Sequence, residues 1–226
     1  MTAASRGIGA ACARVLAERG YRLALLARSA EVEELARKLG ALAVRGSVAS
    51  GEDLARLVEA ALSRYGRIDA VVNNTGHPAK GELLDLSDDD WKSGLDLLLL
   101  SVIRMARLVT PFFQRQGRGA IVNVSSLWAV EPSLDAPVSS TLRAALSAFT
   151  KLYADRHARE GIRMNCVLAG FATTYPVPEK FAAAIPMARI SEPEEVARVA
   201  AFLLSDDAAY VTGQSVRSDG GLTRSF

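Results

Sequence analysis

Cysteine is scarce in this chain, with only Cys12 and Cys166 among 226 residues. They stand far apart and without metal-ligand spacing, which excludes a disulfide framework and a thiolate metal centre. Such usage predicts buried free thiols in a reducing, cytoplasmic setting and no bound metal. An excess of one charge is also lacking. The formal net charge is +2 and the basic residues are scattered, so nucleic acid is not the expected partner. Long apolar runs are missing too. The longest, Leu97 to Leu100 with Val102 and Ile103, falls far short of a membrane span. Arg6 and Arg14 break up the N-terminal stretch, which does not have the layout of a secretory signal. Its first seventeen residues are basic and poor in acids, as a transit peptide would be, but a glycine-rich turn at residues 7–9 accounts for them better. No internal repeat, low-complexity block or domain linker is visible.

What is present is a regular alternation of helical and strand-like segments, in a chain whose 50% hydrophobic content suits a single domain over 1–226. Helical patterns cover 10–19, 31–39, 52–65, 87 to about 116, 139–160 and a segment opening at Ser191-Glu192-Pro193. Gly20, Gly40, Gly66 and Gly161 stand at C-terminal stops. Ser87 with Asp88, Asp89 and Asp90 caps the fourth helix, and Pro111 is expected to bend or break it. Apolar runs of strand length cover 21–27, 42–44, 68–72, 120–124, 162–168 and 214–216. Continuous apolar strands alternating with helices predict an α/β fold: a doubly wound parallel sheet in a three-layer α/β/α arrangement.

The chain opens on Thr2-Ala3-Ala4-Ser5-Arg6-Gly7-Ile8-Gly9, followed at once by a helix. Glycines here let the backbone approach a dinucleotide, and the helix N-terminus offers free N–H groups and a positive dipole end to its phosphates. Such a turn normally follows the first strand of a parallel sheet. That first central strand is expected to be missing from the chain.

Several motifs recur in order: the opening loop, Asn73-Asn74-Thr75-Gly76, Asn123-Val124-Ser125-Ser126, Asn165 to Gly170, Thr212-Gly213-Gln214 and Asp219-Gly220-Gly221. Together they make the whole chain resemble the short-chain dehydrogenase/reductase family, and within it the branch that reduces 3-oxoacyl carrier-protein thioesters. The resemblance implies a Rossmann-like fold and a nicotinamide dinucleotide held by Ser5, Arg6, Gly7, Ile8, Gly9, Arg28, Asn73, Thr75, Gly76, Arg143, Gly170 and Thr174. The family loop usually reads Thr-Gly-x-x-x-Gly-x-Gly, and here Ala3 replaces the first glycine. About eighteen residues past Gly9, where NAD-preferring members carry an acid, stands Ala27, followed by Arg28. Arg6 and Arg28 could face a 2′-phosphate, which favours NADP(H) over NAD(H). Ser47 stands where the family has an Asp that reads adenine. Met1-Thr2 occupies the place of the family's Val-Thr, so a start set too late is the expected reason for the missing strand.

Family catalysis uses Asn, Ser, Tyr and Lys. Aligned on the strand end, Ser126 takes the serine position, Ser139 stands where the tyrosine should be, Arg143 at the lysine and Leu98 at the asparagine. An aliphatic hydroxyl is a far weaker acid than a phenol, which titrates near about 10. Arg143 keeps the charge but stays protonated, so it cannot shuttle a proton. Ser126, Ser139 and Arg143 are the candidate catalytic positions, with His77 on the rim and Tyr175 in the following loop as replacement proton donors. Trp128 would either line the substrate pocket or serve core packing, and Tyr153 is expected to serve packing.

Three readings follow. The first is an NADP(H)-dependent oxidoreductase acting on a small carbonyl or alcohol, with a 3-oxoacyl thioester as one candidate, and with a non-standard catalytic set. The second is a catalytically silent dinucleotide-binding sensor or subunit. The third keeps the fold and no longer binds the dinucleotide. By resemblance, the chain should form a homodimer or homotetramer through the helices at about 88–116 and 139–160.

Overall fold

The computed structural model describes residues 1–225, with the side chain of Lys180 excepted. Its helices are α1 (Gly7–Glu18), α2 (Glu31–Leu39), α3 (Gly51–Tyr65), α4 (Asp88–Leu95), α5 (Ser101–Gln116), α6 (Pro137–His157), α7 (Glu179–Ala182) and α8 (Pro193–Leu204). They are interleaved with β1 (Ala24–Ala27), β2 (Leu42–Arg45), β3 (Ala70–Asn73), β4 (Gly119–Ser126), β5 (Ile162–Ala169) and β6 (Ser215–Ser218). Every strand pair is parallel. The strands alternate their side chains between two apolar cores. Leu25, Val72 and Val122 join α1, α2 and α8 on one face. Leu26, Val71 and Ile121 join α3 and α5 on the other. This is the expected three-layer sheet. Both cysteines are buried free thiols, as their scarcity suggested. No helix among the described residues is long and apolar enough to cross a membrane.

The sheet falls into two parts, β2-β1 and β3-β4-β5-β6. A stub formed by residues 1–4 joins them where a central strand belongs. Thr2 N–H donates to Val72 O at 3.1 Å on one side, while Leu26 N–H donates to Met1 O at 2.9 Å on the other. Thr2 pairs with Leu26 as an isolated parallel bridge. Residues 1–4 therefore hold the place of the expected first strand, bonded on both sides. On the N-terminal side of the stub the two half-sheets face a cavity of about 570 Å³, lined by Met1, Leu23, Ala24, Val58, Ile68 and Val71 among others. The Met1 amine donates to Ala24 O at 2.6 Å.

The long helix at 88–116 departs from expectation in one respect. Pro111 does not break it: α5 runs through it to Gln116. The irregularity lies earlier, at a π-helical turn, Asp96–Leu100. The capping box at Ser87 and Asp90 is as the sequence indicated.

Candidate active site

A parallel sheet collects its loops at the C-terminal ends of its strands, and there the sequence motifs meet. Helix α1 begins at Gly7 (φ +56), with Arg6 in extended conformation before it. No side chain caps this end and no acid lies in its first turn, so its N–H groups are open to an anion. Gly9 can only be glycine, because a Cβ there would lie 2.1 Å from Ala3 O. Thr2 Oγ1 donates to Asn74 O (2.7 Å), and Asn74 Nδ2 donates to Ala3 O (3.1 Å), which locks the opening loop onto the turn after β3. Ala3 sits at φ +46, in the left-handed region where the family's usual glycine would be unstrained. The substitution therefore strains the backbone, beyond any crowding of the ligand that the sequence suggested.

Arg6 and Arg28 are both exposed, Arg28 immediately past β1. The Arg6 charge reaches the first turn of α2 and contributes to holding the Glu31 carboxyl below its usual range, behind hydrogen bonds from Ser29 and the Glu31 backbone. Ser47 is closed into a local turn: its N–H donates to Asp53 Oδ2 at 2.7 Å and its Oγ accepts from Ala49 N–H at 3.2 Å. Two buried side-chain oxygens lack a partner among the described residues, Thr75 Oγ1 and Ser125 Oγ. Both lie at the C-terminal ends of adjacent strands, Thr75 just past β3 and Ser125 in β4. Orphaned hydroxyls there fit a ligand whose polar groups complete them. Asn73 is placed otherwise. Its Nδ2 donates to Asn123 Oδ1 (2.9 Å), and Asn123 Nδ2 donates to Thr150 Oγ1 (3.0 Å), so its side chain belongs to a buried network. Gly170 permits close packing, since a Cβ would come 2.7 Å from Asp219 Cα. A Cβ on Gly7 would come 3.1 Å from Thr174 Cγ2, which places the loop after β5 against the phosphate loop.

Ser126 ends β4, half-buried, and its Oγ accepts from Trp128 N–H at 3.3 Å. Ser139 and Arg143 occupy one face of α6, each only 6% exposed. Arg143 Nε donates to Ser139 Oγ at 3.1 Å and Nη1 donates to Val124 O at 3.0 Å. The serine oxygen is thus engaged by a cation. Among the described residues no carboxylate forms an ion pair with Arg143. Burial brings its guanidinium down to about 10, which leaves it charged at neutral pH. The His77 and Tyr175 rings meet edge to face, centroids 5.4 Å apart. Arg143 acts on both. Desolvation first, then Arg143 and Lys80, lower the imidazole's pKa. Desolvation raises the phenol's, and Arg143 pulls it partly back.

Leu98, at the asparagine position, is 1% exposed within the π turn. Trp128 packs edge to face on Phe171 (6.0 Å), which in turn stacks on Phe181 (4.8 Å), forming an aromatic wall beside Ser126. Tyr153 shares a 2.6 Å hydrogen bond with Thr110 on α5 and lies away from the site, as expected. No cluster of potential metal ligands exists among the described residues. The orphaned hydroxyls, the strained Ala3 and the π turn could not be found from sequence. Each depends on which atoms meet, while residue type leaves that open.

The chain matches the family described as enoyl-(acyl carrier protein) reductase over residues 2–223. It is 34% identical to the 3-oxoacyl-[acyl-carrier-protein] reductase of Synechocystis sp., over 98% of this chain and 95% of that protein. Among solved structures, the L-sorbose reductase of Gluconobacter frateurii, complexed with NADPH and L-sorbose, superposes with a TM-score of 0.90 at 29% identity, covering 100% of this chain and 96% of that one. The TT0495 protein of Thermus thermophilus superposes with a TM-score of 0.90 at 34% identity, covering 98% and 96%.

Proposed function

The chain belongs to the short-chain dehydrogenase/reductase family, and from that premise we propose that it is an NADP(H)-dependent oxidoreductase of a carbonyl or alcohol substrate with an altered proton donor. The observation that carries the reading is the open α1 N-terminus, together with the orphaned Thr75 and Ser125 hydroxyls at the C-terminal ends of β3 and β4. Ser5, Arg6, Gly7, Ile8 and Gly9 would hold the pyrophosphate, Arg6 and Arg28 the 2′-phosphate, and Thr75, Gly76, Arg143 and Thr174 the nicotinamide end. NADPH in the Gluconobacter frateurii structure and the 3-oxoacyl relatives support this cofactor and substrate type. When bound, a reduced nicotinamide supplies the hydride. Ser126 orients the substrate oxygen. Ser139, tied to Arg143, positions the guanidinium and gives no proton. Tyr175 is the better acid. Arg143 disfavours a protonated His77 and stabilises the anion that Tyr175 becomes on donating its proton. A homodimer or homotetramer in a cytoplasmic setting completes the reading.

Titration with NADPH and NADH tests it. NADPH is expected to bind at least ten-fold more tightly, and binding of neither removes the proposal. Given binding, NADPH oxidation by a panel of 3-oxo thioesters and ketones should fall at least ten-fold in Tyr175→Phe and in Ser126→Ala. One observation favours a second reading, a silent dinucleotide-binding subunit: the hydroxyl beside Arg143 on α6 is the aliphatic Ser139, a far weaker acid than a phenol. NADPH binding without turnover across the panel would select it.

A further inference from the structure

Two of the five N–H groups of the Arg143 guanidinium are engaged, by Ser139 Oγ and Val124 O. Its Nη2 has no hydrogen-bond partner among the described residues. Arg143 is itself 94% enclosed, the complement of its 6% exposure. A buried cation without a counter-ion is unfavourable unless something supplies the opposite charge. The surroundings do not. His77 feels Arg143 and Lys80, and Tyr175 feels Arg143, with no carboxylate among the described residues acting on either. The rim beside Ser126 is therefore cationic, with an aromatic wall of Trp128 and Phe171 on one side.

We propose that Arg143 is a substrate-binding residue that pairs with a carboxylate, so that the substrate class is a small oxo acid or hydroxy acid. Guanidinium and carboxylate match in geometry, each offering two parallel bonds, and a pair formed out of water is stronger than one at the surface. A ribose hydroxyl would accept one of these N–H groups and leave the charge unanswered. Ser126 would then hold the carbonyl oxygen, with the carboxylate anchored on the α6 side and the carbon chain along the aromatic wall. This inference rests on the oxidoreductase reading, and its test is chosen to fail separately from it.

The test compares acetoacetate with its neutral analogue methyl acetoacetate by calorimetry, on the full chain with and without NADP+. Acetoacetate should bind at least ten-fold more tightly, and the preference should shrink as salt is added. It should vanish in Arg143→Met and survive in Arg143→Lys. The bound acid should also raise the His77 pKa in an NMR titration, because it neutralises the cation that lowers it. Equal binding of acid and ester, or a preference that persists in a folded Arg143→Met chain, overturns the inference even if NADPH binds. If Arg143→Met does not fold, the acid-to-ester ratio and the His77 shift on the unaltered chain still decide. If NADP+ does not bind but acetoacetate is still preferred, the anion site stands and the oxidoreductase reading falls.

Discussion

Ala3 shows how one methyl group can act through the backbone. At φ +46 it carries the left-handed penalty of an L-residue, about 1–2 kcal/mol. Glycine would relieve it but would lose about 0.4–1 kcal/mol through the greater freedom of the unfolded chain. Relief outweighs loss, so Ala3→Gly should stabilise the fold by about 0.5–1 kcal/mol in denaturant unfolding. An unchanged or lowered midpoint would mean the strain is not there. At this scale the sequence was informative about identity and poor about direction. Ser139 and Arg143 could be placed by spacing from Ser126, and their bond across one helical turn follows from the four-residue interval. Asn73 carries an amide that either suits a ligand or a core. Only its partner Asn123, fifty residues on, shows that the side chain turns inward.

Among the elements, the helix pair α4–α6 is set by a glycine. A Cβ on Gly94 would stand 2.3 Å from Val138 Cγ1 and 3.1 Å from Leu142 Cδ1. Alanine would gain about 1 kcal/mol in helix propensity, yet overpacking against α6 costs about 1–3 kcal/mol. Gly94→Ala should therefore destabilise by roughly 1 kcal/mol and disturb the start of the helix that carries Ser139 and Arg143. A thermal melt above that of the parent chain would contradict this. Helix and strand types were legible because their apolar periods are strong and their stops are glycines. The π turn was not. It inserts one extra residue per turn into a continuous helix, leaving the apolar pattern nearly intact, and it contains Leu98 rather than lying at Pro111, where residue type pointed.

For the whole molecule, the stub leaves a titrating group in an unusual place. Burial lowers the Met1 amine from 8.0 to about 5. The unfolded chain then binds more protons than the folded one between those values, so stability should rise with pH from about 5 to 8. His77, also lowered, acts in the same direction, while the depressed carboxylates act at lower pH. Comparing acetylated and free N-termini isolates the amine. The acetylated form should show a flatter melting-temperature profile across that window, and identical profiles would refute the assignment.

The same stub has a consequence for cohesion. The half-sheet β2-β1 carries Arg28 and borders Arg6, whereas the other half carries Thr75, Ser126 and Arg143, and backbone bonds across the gap run through Met1, Thr2 and Ala4. A dinucleotide reaching from one set of residues to the other would lie across this seam as a clasp. Part of its binding energy would then appear as resistance of the two halves to parting, and ligand affinity and sheet integrity would be one measured quantity.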